Sequence, residues 1–520
     1  MLPTVDLTRP SAPTTLWQEF LAVAERSAGS PALLFGEGDV SFAELRADAE
    51  RCAEWLSGSG FEKGNIVALQ LPKRRETYAL WLGCLRQGLV YVFLDPANPP
   101  GRIENIVRRV RPALLVTSTD AQNPFGEVLP LGSADDGTHW LKSLPKAVGG
   151  RPPADVDGPS PAYVMFTSGS TGEPKGAVIA QQGVLALMAW ARSLIGNVGG
   201  ERFSNLNPLH FDNSVFDLYC GLLNGAALVP VETGALPNPL DWVKLLRCGR
   251  ASVVFAVPTL FLTLDGLRLL TRESLADVRV FVFGGEGFPI AALRRFHERF
   301  RETARLINVY GPTETSCICS SIEVGPAEIA AAGEGLLPLG RMQSGFEHAI
   351  LDESGASVPQ GGVGELWIGG AGVGLGYYAS PDQTALRFRP DPRPGAYIGT
   401  WYRSGDLVRE DANGLLWFQG RADNQVKVRG HRVELEEIDR VVERLAGVRQ
   451  AVCVILGAAE LHLVFTAEFD MDLNDVRRHC ETQLPAYMRP VRFIQVAALP
   501  TNANGKTDRA GVRALVQRMP

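Results

Sequence analysis

IVALQL (66–71), TYALWLGCLRQG (77–88), VYVFL (90–94) and ALLVT (113–117) are the runs whose reading decides the fold. The first, third and fourth are short and apolar, whereas 77–88 and a segment opening at Gly101 carry helical spacing. Buried strands alternating with helices are the pattern of a mostly parallel sheet covered by helices, because both faces of such a sheet are buried. Upstream, Leu16, Phe20, Leu21 and Val23 recur at helical spacing. Ser41 stands where its hydroxyl would cap AELRADAERCAEWL, with Glu44 at the reciprocal capping-box position. Downstream the rhythm returns from about 181 to 310, with AALVPV, VVFAV, VRVFVFGG and RLINVYG as strands. From about 335 to 418 short strands sit between glycines (HAILD, GELWIGG, GLLWFQG), as in a small β-barrel or a hairpin layer. After Gly420, RVELEEIDRVVERL reads as a helix, AVCVIL and LHLVFTAEF as strands, and 471–483 as a helix. The expected fold class is α/β. A large N-terminal domain, residues 1–420, holds helix-covered, mostly parallel sheets and a β-barrel-like subdomain at about 335–420. A short polar hinge follows at 421–424, then a small mobile α+β domain at 425–520.

Length and composition agree with several cores: 520 residues exceed one ordinary domain of roughly 100–200 residues. With 45% hydrophobic and 21% charged residues the chain is neither disordered nor fibrous. A net charge of −6 offers no basic field, so neither nucleic acid nor an anionic membrane is an expected partner. No run of about 18 apolar residues is present, and MLPTVDLTRPSAPTTLW lacks the pattern of a signal peptide. Of eight cysteines, Cys52, Cys84, Cys220, Cys248, Cys453 and Cys480 are scattered, and Cys317-x-Cys319 has no second pair to complete a zinc site. A cytoplasmic protein with reduced thiols is expected.

The stretch most informative about chemistry is YVMFTSGSTGEPKG (163–176). An apolar strand runs into hydroxyls and glycines, then Lys175. Glycines let the backbone turn and present N–H groups, hydroxyls add donors, and the lysine adds charge, a combination suited to a polyphosphate. G-x-x-x-x-G-K-[ST] cannot be laid onto it, so it is not a Walker A loop.

That string resembles the phosphate loop of the adenylate-forming superfamily: acyl-CoA synthetases, luciferases and the amino-acid adenylation domains of non-ribosomal peptide synthetases. Further motifs fall in the family's order along nearly the whole chain: YGPTET (310–315), GELWIGG (364–370), YRSGDLV (402–408), GRADNQVKVRGHRVELEEID (420–439), LPAYMRP (484–490) and PTNANGKTDR (500–509). Their long forms look most like the amino-acid branch, and the 211–219 string looks much like that of D-alanine ligases for cell-wall modification.

The resemblance implies ATP and Mg²⁺, with Thr167, Ser168, Gly169, Ser170, Thr171, Gly172 and Lys175 on the phosphates. Gly285, Glu286, Asn308, Tyr310, Gly311 and Thr313 would surround the base and α-phosphate, Asp406 and Arg421 the ribose, and Glu314 the metal. Standing alone, Glu314 reads equally as a helix-start acid and Asp406 as a turn acid. Lys506, otherwise a solvated charge, matches the family's catalytic lysine, joined in the expected catalytic set by Thr167, Glu314 and His210. Asp423 matches the hinge position, and Gly430 lies in the 425–432 loop that is expected to enter once Lys506 has left.

Asp212 matches the residue that pairs with a substrate α-ammonium, and it reads equally as a helix N-cap. His210 precedes it as a candidate aromatic gate. The family's pocket positions fall on Asp212, Asn213, Phe216, Phe255, Val282, Gly284, Val309, Cys317, Ile318 and Lys506. No acid or further base stands at the side-chain end, so a small or medium uncharged α-amino acid is expected. No carrier segment follows the last motif, so the expected partner is a separate phosphopantetheinylated carrier protein. An acyl- or aryl-CoA ligase, or a non-catalytic nucleotide-binding scaffold, are the alternatives.

Overall fold

Local sequence accounts for the helix starts. Thr15 and Gln18 form a capping box on helix Leu16–Arg26, and Ser41 and Glu44 form another on helix Phe42–Gly58. Each supplies acceptors to N–H groups that have no partner within the helix, worth about 1 kcal/mol per cap. The structure is a computed structural model describing residues 15–36, 38–132, 134–144, 155–169, 173–196, 198–232, 238–393, 399–457, 460–501 and 507–519.

Two large sheets form the framework. In the nine-stranded one, 31–33, 227–230, 202–205, 253–256, 280–284 and 305–310 run parallel in that spatial order, flanked by antiparallel edges. In the seven-stranded one, 161–167, 90–93, 66–70, 114–117 and 127–130 are parallel, while 175–180 returns antiparallel to 161–167. Helix Arg75–Gln87 is buried on all sides, which fits its lack of a polar face. Its Tyr78 hydroxyl donates to Asn205 Oδ1 of the nine-stranded sheet (2.7 Å), and Trp81 Nε1 donates to the Tyr219 hydroxyl (3.2 Å). Tyr219 in turn meets Tyr91 of the seven-stranded sheet at 2.8 Å. One apolar core thus spans both sheets and sets their relative position.

The glycine-punctuated strands 346–351, 363–370, 388–390, 400–410 and 416–421 form a five-stranded antiparallel sheet. The last segment carries strands 448–456, 460–467 and 492–495, packed by helices Leu435–Glu443, Leu473–Gln483 and Arg509–Arg518 over its own core. One reading shifts: Arg432-Val433-Glu434 does not start the helix but belongs to strand His431–Glu434, which pairs with Gln425–Val428. The turn between them is Arg429-Gly430, both at positive φ, the pattern of a type I′ hairpin turn. The helix begins only at Leu435.

Candidate active site

Strands 202–205, 253–256, 280–284 and 305–310 of the larger sheet and strand 161–167 of the other sheet end around one cavity of about 830 Å³, the usual place for a site in an open α/β sheet. Strand Pro161–Thr167 ends at the cavity, and its chain comes back with Lys175 paired to Thr167. Thr167 and Ser168 line the wall. Thr167 Oγ1 is buried with no hydrogen-bond partner among the described residues, so a donor there stands free for a ligand. Ser168 Oγ donates to the Arg432 carbonyl (2.9 Å) and accepts from the Glu434 N–H (3.1 Å), and the Gly169 N–H donates to Glu437 Oε2 (3.1 Å). Lys175 lies behind the wall, with Nζ 5.7 Å from the Tyr377 ring centre; burial lowers its pKa. Ser170, Thr171, Gly172 and Lys506 lie outside the described residues. Thr507, next to Lys506, lines a separate small polar pocket with Asp439 and Arg509.

The opposite wall comes from strands Val280–Gly284 and Arg305–Tyr310, which deliver Gly285-Glu286-Gly287 and Tyr310-Gly311-Pro312-Thr313. Glu286 accepts the Thr259 N–H at 2.6 Å. Gly311 must lack a side chain, because a Cβ there would run into the Cys317 carbonyl oxygen. Ser316 and Cys317 both hold positive φ, a costly pair for non-glycine residues, and the turn brings Cys317 and Ile318 to the cavity. Asn308 sits behind this wall, its amide donating to the Pro338 carbonyl (2.9 Å).

Glu314 is fully buried. Burial alone would raise its pKa, but the Arg432 guanidinium (2.8 Å) and the Tyr377 hydroxyl (2.6 Å) hold it down to about 2. It is an ionised oxygen donor of the kind Mg²⁺ takes, and at present an arginine shares it. Asp406 and Arg421 are register partners on adjacent strands: Arg421 Nη1 donates to Asp406 Oδ1 at 2.5 Å and the Tyr310 hydroxyl donates to Oδ2. Asp423 is gripped by Arg421 (2.6 Å) and Arg387 (2.9 Å). Burial opposes ionisation of Asp423, yet those arginines bring its pKa to about 2.

At the far end Asp212 makes no capping hydrogen bond to helix Asn213–Val215. Its Oδ2 accepts the Thr313 hydroxyl at 2.5 Å. Burial raises its pKa, and Thr313 and Lys427 pull it back. Asp212, Asn213, Phe255, Val309, Cys317 and Ile318 line the cavity; Phe216, Val282 and Gly284 do not. The reason is stacking: Phe216 stands edge-on behind Phe255 (5.2 Å), and Val282 is the cross-strand partner of Phe255. The floor therefore rests on Phe255. The His210 ring packs tilted against Phe211 (4.1 Å, 46°), and burial lowers its pKa despite Asp95 at 3.7 Å.

Residues 20–378 match the family model described as AMP-binding enzyme. The chain belongs to that family. Malpinin synthetase of Mortierella alpina is 33% identical over 507 residues, which is 94% of this AMP-binding enzyme but 6% of the synthetase. Surfactin synthase subunit 3 of Bacillus subtilis is 32% identical over 510 residues, 96% of this chain and 38% of the subunit. The chain thus spans well under half the length of these curated relatives. Holo-PA1221, described as an NRPS protein containing adenylation and PCP domains, superposes with TM-score 0.82 at 26% identity over 98% of this chain and 84% of that one. The crystal structure of IdnL1 does so with TM-score 0.79 at 30% identity, over 94% and 100%. A Bacillus subtilis o-succinylbenzoate CoA synthetase (TM-score 0.82, 20% identity) shares the fold.

Sequence reading expected the 425–432 loop at the site without singling out its side chains, and it missed Asn207 and Tyr487 as cavity residues of this AMP-binding enzyme. Asn207 lines the wall, its amide bridging the buried Asp217 carboxylate (3.1 Å) and the Phe255 carbonyl (3.0 Å). His431, Arg432 and Lys427 arrive on the hairpin, and Tyr487 stacks on His431 (4.0 Å, 18°) against Phe211. The alternation in VKVRGHRVE around Arg-Gly was the available signal for the hairpin; no local signal marks Tyr487 or Asn207 as cavity residues.

Proposed function

We propose that this AMP-binding enzyme is an amino acid:carrier-protein ligase. A small or medium uncharged α-amino acid would attack the α-phosphate of ATP through a carboxylate oxygen. The α–β P–O bond breaks, leaving aminoacyl-AMP and pyrophosphate. The phosphopantetheine thiol of a separate carrier protein then attacks the acyl carbon, losing its proton, and AMP leaves. The observation that carries the amino-acid reading is Asp212: a carboxylate on the cavity wall that caps no helix and, among the described residues, has only a hydroxyl as hydrogen-bond donor. An ammonium is its natural partner, and a plain acyl chain would leave the buried carboxylate with only the Thr313 hydroxyl and the more distant Lys427 and Arg432 charges to offset it.

Thr167, Ser168 and Gly169 would donate to the triphosphate, Tyr310 and the Gly285–Gly287 turn would bracket the base, and Asp406 with Arg421 would meet the ribose. Glu314 would hold Mg²⁺, which when bound offsets charge on the phosphates. Lys506 would stabilise the adenylation transition state. The chain would divide at 421–424, with Asp423 as hinge between a core of 1–420 and a lid of 425–520, in a cytoplasmic enzyme.

Amino-acid-dependent ATP–pyrophosphate exchange over L-, D- and β-amino acids, aryl acids and short fatty acids tests this. Exchange with one uncharged α-amino acid is expected. Exchange only with acids lacking an amine would replace the reading by an acyl- or aryl-CoA ligase, and CoA-dependent thioester formation would identify it.

A further inference from the structure

Behind the cavity wall lies a buried polar cluster that the proposed adenylation chemistry does not use, and it fixes one side chain of the wall. The buried Lys73 ammonium donates to the carbonyls of Asn205 (2.8 Å), Leu206 (3.2 Å) and Val231 (2.8 Å), which pins the backbone leading into Asn207. Asp217 is fully buried. Its Oδ2 accepts from the amides of Asn205 (3.2 Å) and Asn207 (3.1 Å), while its Oδ1 has no partner among the described residues. The Asn207 amide nitrogen gives its second hydrogen to the Phe255 carbonyl (3.0 Å). These partners settle which way the amide faces. A carbonyl only accepts, so the nitrogen stays on the Phe255 side whether or not burial, which raises the Asp217 pKa, protonates that carboxyl. The group left for the cavity is the amide oxygen: Asn207 lines the wall at 7% exposure, and its Oδ1 accepts no hydrogen bond among the described residues.

We infer that Asn207 determines specificity, its fixed amide oxygen accepting a hydrogen bond from the side chain of the substrate acid. The preferred acid then carries a hydroxyl or amide N–H in that side chain rather than a plain alkyl group. Position argues for a side-chain donor and not for the ammonium. Asn207 is tied to Phe255 on the floor, whereas Asp212 is tied to Thr313, on the turn that the nucleotide reading places at the α-phosphate. The selectivity comes from the fixed geometry. An oxygen held in place cannot turn away from an apolar group, and stripping its solvent without replacing the hydrogen bond carries the full desolvation penalty. Lys73 and Asp217 are positioning residues that act through Asn207. The inference rests on, and narrows, the amino-acid ligase reading of the same cavity.

The test compares matched acids with and without the donor in ATP–pyrophosphate exchange. The pairs are serine with 2-aminobutyrate, threonine with valine, homoserine with norvaline, tyrosine with phenylalanine, and asparagine and glutamine with their side-chain methyl esters, in both chiralities. The pair that is used best should favour the donor-bearing acid by about 10- to 100-fold in kcat/KM. Asn207→Leu keeps the volume, removes the acceptor and should bring that pair within about threefold. Asp217→Asn keeps an acceptor for the Asn207 amide and should preserve the preference. The ratio within a pair is independent of how much enzyme folds, and Asn207→Ala is read beside Asn207→Leu in case the larger side chain disturbs the wall. Preference for the apolar member in every pair overturns the inference. So does a preference that survives both Asn207 substitutions, or one that is lost equally in Asp217→Asn. Exchange with amino acids but without donor preference sinks this inference alone. Exchange only with acids lacking an amine sinks the functional reading, and 3-hydroxybutyrate against 3-methylbutyrate then reads the Asn207 acceptor by itself.

Discussion

His431 makes docking of the hairpin depend on pH. Its ring lies on Tyr487 (4.0 Å) and against Phe211 (4.7 Å), with His210, Lys427 and Arg429 close by. Burial, reinforced by those three basic neighbours, drives its pKa down to about 4, from about 6.5 for an ordinary histidine. An undocked hairpin would return the ring to solvent and to the higher value. A base whose pKa falls on docking must be neutral to dock. Docking is therefore strongest above pH 6.5 and weakens as pH falls, until the ring is protonated in both states below about 4. At about pH 5.5 the undocked state gains a factor of about 11 from protonation and the docked state almost nothing, a loss of about 1.4 kcal/mol. The assay is the distance between spin labels at exposed Cys248 and at Arg478→Cys, titrated with magnesium pyrophosphate to half-depletion of the docked population from about pH 8 to 5.5 in the wild type and in His431→Phe. The phenyl ring keeps the stack without the titration, and the ratio of midpoints cancels the ligand's own protonation. A ratio that moves about tenfold is expected; a ratio flat across that range refutes the reasoning.

Asp212→Asn keeps an acceptor for Thr313 and removes the charge, so kcat/KM for the amino acid in ATP–pyrophosphate exchange should fall by about 2–5 kcal/mol, roughly 30-fold to several thousand-fold. Urea denaturation should change little, because Asp212 caps no helix. Gly430→Ala meets two obstacles, φ of +82° and a Cβ 2.8 Å from Val257. It should slow thioester formation from preformed adenylate while exchange persists; equal effects on both would count against hairpin entry. Phe255→Ala opens the floor onto Phe216 and should cost about 3–5 kcal/mol in unfolding free energy, while the substrate panel shifts toward larger side chains. An unchanged substrate ranking would mean the acyl group lies elsewhere.

What the sequence made legible was local. Short continuous apolar runs at 66–71, 90–94 and 113–117 read as buried strands, and strands 66–70, 90–93 and 114–117 occupy them. Ser41 and Glu44 formed their capping box because the box needs only four adjacent residues. Arg432-Val433-Glu434 was read as helix because polar–apolar–polar also suits a first helical turn; pairing with Gln425–Val428 decided otherwise. Asp212 had two roles open to it; its side chain makes no capping bond and instead accepts from Thr313, far away in sequence. The Arg102–Glu437 pair joins residues 335 apart, and nothing in either neighbourhood announces the other. Family positions put Phe216, Val282 and Gly284 in the pocket, whereas none of the three lines the cavity, and the Phe216 ring is spent on packing behind Phe255. Motifs locate side chains along the chain, but packing decides which of them reach the cavity.

Helix Asn213–Val215 does not continue as an α-helix; Phe216–Gly221 is a π turn, with one residue more per turn than α geometry allows. Asn224 stabilises it by donating to the Cys220 carbonyl at 3.0 Å, and Tyr219 is pinned between the sheets. With Tyr219 fixed, loss of a single residue from this turn would rotate everything before it by about 100°, carrying Asp212 and Asn213 off the cavity wall. Chain length at this turn thus decides coarsely which side chains reach the cavity wall, and substitutions at the floor adjust the cavity only finely. Under the proposed amino-acid reading, a lineage that changed its acid by deletion here would have to find a new ammonium partner at the same step.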